Sequence, residues 1–141
     1  MKIIQLSVLA IAVAATLGLR PAPRQGSLYA FQTPTGNIGC MADNEGGRWS
    51  LRCDIGQKDW NGGSAGKDCD LDQGDALGLS ASGRTYWVCH GDTVLRQGAV
   101  LGYGSTWHAG PFNCTSARTG VTCRNRAAHG FTLSRASYRI F

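Results

Sequence analysis

The sequence predicts an all-β domain: a small disulfide-stapled sandwich or barrel-like arrangement of short antiparallel strands, with little helix after an N-terminal signal peptide. Three observations carry this. The 141-residue chain holds 20 glycines, and beyond its N-terminal segment no long window is free of Gly, Asp or Asn, which favours strands joined by turns over long helices. Apolar and polar residues alternate in stretches such as Trp49-Ser50-Leu51-Arg52-Cys53, the period of a strand with one buried face. Six cysteines are spread along the chain without short CxxC pairs, which fits three disulfides in an exported protein better than zinc ligation. With 16% charged and 43% hydrophobic residues, the composition is that of one folded domain.

Residues 1–19 combine Lys2 with the apolar run IIQLSVLAIAVAATLGL, whose end is rich in small residues (Ala12, Ala14, Ala15, Gly18). That is the pattern of a cleaved secretory signal. A membrane anchor is the competing reading, but the run reaches only about the minimum length for a span. No cysteine follows closely, so a lipoprotein anchor is not expected. Residues 20–27 (RPAPRQGS) read as a solvated Pro/Arg-rich lead-in, and residues 28–141 as a single disulfide-stabilised β domain. The expected location is secreted, periplasmic or cell-surface, with no membrane attachment after signal cleavage.

Within the domain, LYAFQT forms a first strand and TPTGN a turn. NIGCM and RWSLRCDI flank the polar turn ADNEGG as a hairpin, across which Cys40 faces Cys53; longer-range pairing is the rival, since six cysteines allow fifteen connectivities. KDWNGGSAG (58–66) is a loop carrying Trp60. Asp68, Asp70 and Asp72 then resemble the opening of a calcium loop, but Gln73 and Leu79 stand where an EF-hand needs Gly and Glu. The stretch reads as a solvated acidic turn leading into an ALGLS strand, with these three aspartates the only metal candidates.

SGRTYWVCHGDTVLR predicts an aromatic strand, a tight His90-Gly91-Asp92 turn and a second strand, with Cys89 pairing Cys69. His90 and Asp92 are close enough in sequence to invite acid/base chemistry; alternatively Asp92 hydrogen-bonds its own turn. LGYGSTWHAGPFNC reads as a loop in which Tyr103, Trp107 and His108, together with Arg124 beyond it, are candidates for a glycan-stacking or peptide-binding surface, set against the ordinary role of aromatics in a core. Cys114 and Cys123 enclose TSARTGVT and oppose one another across a second hairpin. In the final stretch Phe131 and Leu133 share one face, and Tyr138, Ile140 and Phe141 dock the tail.

The formal charge of +5 divides unevenly. Residues 31–80 carry four cations against eight anions, whereas residues 81–141 carry seven arginines against Asp92 alone. An acidic half joined to a basic half can neutralise itself across the fold, so a nucleic-acid partner is not expected.

The motifs FQTPTGNIGC, RCDI, CDLDQG, CHGDTV, LGYGSTW and GVTCRN with HGFTLSRASYRIF span most of the domain. Together they resemble a family of small secreted bacterial proteins, common in actinomycetes, known only as a domain of unknown function. The chain departs from that pattern at Ala128, where a glycine often precedes the His-Gly-Phe unit, and at Gln73, where an aromatic is frequent. The resemblance implies a compartment and an extent but no activity.

No nucleophile elbow, HExxH, phosphate-binding or dinucleotide motif is present, and no cofactor is expected. The favoured function is a secreted binding module, monomeric, for an extracellular protein or a cell-wall or glycan ligand. The alternatives are a small hydrolase or an inhibitor of a secreted protease. The hydrolase would use His90 or His129 as base, Asp92 or Asp72 to orient it, and Arg135 or Arg124 to stabilise an anion.

Overall fold

In the computed structural model the described residues are Gly18 and 27–141. The expected signal peptide, apart from Gly18, and the lead-in up to residue 26 lie outside them. Eleven strands follow in chain order: β1 (Ser27–Gln32), β2 (Ile38–Glu45), β3 (Arg48–Ile55), β4 (Ala76–Ser80), β5 (Tyr86–Trp87), β6 (Ala99–Val100), β7 (Thr106–Ala109), β8 (Phe112–Ala117), β9 (Gly120–Arg124), β10 (Gly130–Leu133) and β11 (Tyr138–Ile140). They form two sheets, ordered β5-β4-β3-β2-β1-β6 and β11-β10-β9-β8-β7. All neighbouring strands are antiparallel except β1 and β6. No helix occurs among the described residues, so none is long and apolar enough to cross a membrane.

The two sheets pack face to face because strands such as β8, β9 and β3 present apolar side chains at alternate positions. One sheet contributes Phe31, Ile38, Cys40, Ala42, Leu51, Cys53, Ile55, Leu77 and Leu79; the other contributes Phe112, Cys114, Val121, Cys123, Phe131 and Leu133. Registers put Cys40 opposite Cys53 and Cys114 opposite Cys123, and both pairs are disulfides. The staples meet at the centre of the sandwich, where Cys53 Sγ lies 3.9 Å from Cys123 Sγ. Both sulfurs are oxidised, so this is a packing contact between two disulfides and not an S–H hydrogen bond. The third disulfide, Cys69–Cys89, ties two loops together at the surface.

The β2–β3 hairpin is local in origin. Glu45 pairs with Arg48, leaving Gly46-Gly47 as a two-residue turn with φ of 59° and 88°. Two positive φ values match the right-handed twist of the flanking strands and favour glycine at both positions.

Three expectations change. The turn expected over ADNEGG (42–47) shortens to Gly46-Gly47, because residues 42–45 continue the β2 ladder against β3. TVLR (93–96) is not a strand, because the Val94 N–H and the Thr93 hydroxyl donate to the Asp54 carboxylate at 3.0 and 3.1 Å instead of joining a ladder. The stretch read as a loop contains a strand: β7 pairs with β8 through Thr106–Thr115 and Ala109–Phe112.

The turn between β9 and β10 is organised by Asn125, which is buried. Its amide donates to the carbonyls of Ser80 and Gly83, and its Oδ1 accepts from the N–H groups of Ala127 and His129. That geometry holds Ala128 at φ 62°, where a Cβ crowds the backbone. Ala128→Gly is therefore expected to raise the unfolding free energy by about 0.5–1 kcal/mol in urea titrations. A loss of stability would show that the turn carries no such strain.

Candidate functional site

Three stretches distant in sequence converge on one polar network. Arg52 and Asp54 stand two apart on β3 and so share a face, and they form a two-pronged pair: Nε donates to Oδ1 at 2.7 Å and Nη2 to Oδ2 at 2.8 Å. Asp54 is buried, and its carboxylate also accepts from Thr93 and Val94. Arg52 reaches onward to Asp92, with Nη1 donating to Oδ1 at 2.8 Å and Nη2 to the backbone carbonyl at 3.0 Å. That hydrogen-bonded guanidinium holds the Asp92 carboxyl below its ordinary value.

His90 continues the chain of contacts. Its Nδ1 is 2.6 Å from the Asp92 carbonyl oxygen and its Nε2 is 2.7 Å from Asp75 Oδ1. The backbone between Asp72 and His90 is bridged in both directions, and Cys69–Cys89 clamps the same two loops. Asp54, Asp72, Asp75, His90 and Asp92 line an open cleft of about 400 Å³.

What this arrangement can do follows from its donors and acceptors. A carbonyl and a carboxylate only accept, so both ring nitrogens of His90 are matched to protons, and the imidazolium is the form the site holds. Burial pushes the His90 pKa down, but the bonds to Asp75 and to the Asp92 carbonyl outweigh it and the net shift is upward. In this geometry His90 has no free lone pair for general-base work. The folded-state value lies above the unfolded one, near 6.5, so the pairing contributes fully below that pH and is lost as pH rises through the folded value. Urea unfolding midpoints are therefore expected to fall between pH 5.5 and 8.5, and to fall less in Asp75→Asn. An unchanged slope in that variant would remove the Asp75–His90 pair as its cause.

The other candidates are scattered. His129 is half-buried in the β9–β10 turn, and its backbone N–H is held by Asn125. Arg135 makes one long contact, 3.4 Å to Asp59, between two exposed side chains. Asp68 and Asp70 are exposed on the acidic turn. Trp107 packs its ring on Phe31 at 4.9 Å and belongs to the core margin, while His108 is exposed on β7. The guanidinium of Arg124 lies 4.3 Å over the Phe141 ring. Three cysteine sulfurs (Cys40, Cys53, Cys123) cluster within 4.8 Å, but as disulfides they offer no thiolate to a metal.

Tyr103 and Arg135, however, meet at a second cavity. At the end of the sandwich a cavity of about 250 Å³ is lined by Thr33, Thr35, Asn37, Gln57, Tyr103, Arg118 and Arg135, with Gly120 and Ser134 beside them. The Arg118 guanidinium lies 4.9 Å over the Tyr103 ring. Among the described residues Arg118 makes no ion pair, and no carboxylate lines this cavity.

The model of the family of unknown function DUF6636 matches residues 6–141. The chain belongs to that family. No curated protein and no solved structure matches it. Membership in DUF6636 assigns no reaction, so the residues alone carry the chemistry.

Sequence reasoning passed over Arg52, Asp54, Asp75 and Arg118. The Arg52/Asp54 pair had a readable signal, opposite charges two apart on a predicted strand. Asp75 and Arg118 had none, because their partners lie 15 residues or more away in the chain.

Proposed function

We propose that the protein is a secreted, monomeric binding module that engages an extracellular protein or a cell-wall or glycan ligand through the Tyr103/Arg118/Arg135 end of the sandwich. The observation that carries this reading is an open cavity whose rim holds two guanidinium groups and no acidic side chain. Three disulfides favour an oxidising compartment, and the sequence pattern of residues 1–19 favours export. The rigid scaffold suits a binder, because a preformed site loses little entropy on association.

The hydrolase alternative draws less support. Its leading base, His90, is engaged at both nitrogens, and His129 and Arg135 lie in separate turns. The test is retention of cell-wall polymer, glycans and extracellular proteins by the immobilised protein, compared with the double variant Arg118→Ala/Arg135→Ala. Retention lost in the variant supports the proposal. Blank results throughout, or equal retention by both proteins, overturn it.

A further inference from the structure

We infer that this cavity recognises the carboxylate of a peptide chain end, an assignment that rests on the binding-module reading and narrows it to one ligand class. The first argument is hydrogen-bonding capacity. Asn37 is largely engaged by its neighbour, its Oδ1 accepting from the Gln57 N–H at 2.7 Å and its Nδ2 donating to the Gln57 carbonyl at 3.0 Å, which leaves one uncharged N–H. Thr33 Oγ1 is engaged with the backbone of Ile38. Among the described residues the groups with most unused capacity are the donors of Arg118 and those of Arg135, which is held only by the 3.4 Å contact to Asp59. A surplus of charged donors, with no carboxylate lining the cavity and only the long Asp59 contact drawing on Arg135, matches a ligand group that only accepts, and a guanidinium fork fits a carboxylate with two parallel bonds.

The second argument is size. At about 250 Å³ the cavity is smaller than the roughly 300–1,000 Å³ of sites that enclose whole drug-sized ligands. It accommodates one residue at the end of a longer partner. The third argument separates a peptide from an acidic sugar. Sugars dock on the open face of an aromatic ring, and Arg118 occupies one face of the Tyr103 ring. What remains is the charged edge of that stack, which suits a planar carboxylate on a short aliphatic stem.

The test is a titration of the ¹⁵N-labelled protein, at low salt, with acetyl-trialanine as the free acid, its C-terminal amide, glucuronate and inorganic phosphate. The free acid is expected to shift the resonances of Gln57, Tyr103, Arg118 and Gly120, with affinity falling at least tenfold in Arg118→Ala and partly recovered in Arg118→Lys. Asp59→Asn, which releases Arg135 from its competitor, is expected to tighten binding about twofold. Arg118 and Asp59 are exposed, so these variants should fold, and unchanged amide dispersion checks that they do. Equal shifts from acid and amide, or shifts from glucuronate or phosphate in place of the peptide, overturn the carboxylate-peptide assignment and leave the cavity as a binding site of another class. Shifts nowhere in the cavity with any probe overturn the assignment; blank retention assays as well would overturn the binding-module reading.

Discussion

Arg52→Ala is expected to lower the unfolding free energy by about 3–5 kcal/mol, the scale found when one member of a buried ion pair is removed. Asp54 stays behind in the interior, with a side-chain exposure of only 3%. The Thr93 hydroxyl and the Val94 N–H still reach it, but neither carries charge. The same change frees Asp92 and its carbonyl, and so loosens the 88–95 connection that holds His90. Asp92→Asn, at the solvent end of the network, should leave stability nearly unchanged, because that carboxylate is exposed. Urea unfolding of the two variants makes the comparison. A loss below about 1 kcal/mol for Arg52→Ala would mean that water reaches Asp54 and that the network is not an interior one.

The second large effect separates the disulfides. Replacing Cys40 and Cys53 together by alanine is expected to cost about 3–5 kcal/mol, and replacing Cys69 and Cys89 about 2–3 kcal/mol. Loop entropy alone predicts the reverse order, since the Cys69–Cys89 loop is longer, 20 residues against 13. That difference is only about 0.4 kcal/mol in the chain-entropy account. Against it stands the hole left by two sulfurs that are fully buried and packed on the facing disulfide. Packing wins on magnitude. Limited reduction followed by alkylation provides the parallel readout: Cys89 is exposed and Cys69 half-exposed, so those two should be labelled before any other cysteine. Labelling of Cys40 or Cys114 first would show that the sandwich opens more readily than its surface loops.

Particular residues show how far the sequence could be read. The alternation of Leu51 and Cys53 with Ser50 and Arg52 identified a strand and its inward face, and the structure buries Leu51 and Cys53 in the core. The turn was readable in place but not in length: it was expected over ADNEGG, whereas residues 42–45 continue β2 and only Gly46-Gly47 turn, at φ values that few residues other than glycine adopt. His90 shows the limit. Its neighbour Asp92 looked like its carboxylate, yet only the Asp92 carbonyl meets the ring, and the carboxylate it pairs with is Asp75. The side chain of Asp92 points instead to Arg52, 40 residues earlier. Thr93 and Val94 had the composition of a strand but are drawn to Asp54, a competition invisible to any local window. Trp107, read as a loop aromatic, was drawn into a strand and onto Phe31, whose position depends on the opposite sheet.

By itself, then, the sequence determined the class of structure, the inward face of strands such as β3 and β10 and the site of the β2–β3 turn, because these depend on a two-residue period and on backbone angles set by immediate neighbours. Tertiary structure alone decided that two disulfides meet across the sandwich, that His90 is bound at both nitrogens, and that Arg118 and Arg135 share a cavity with Tyr103. Each of these depends on how the strands are ordered and how one sheet is laid upon the other. That choice is made by the whole apolar surface the two sheets bury together, which no local stretch contains.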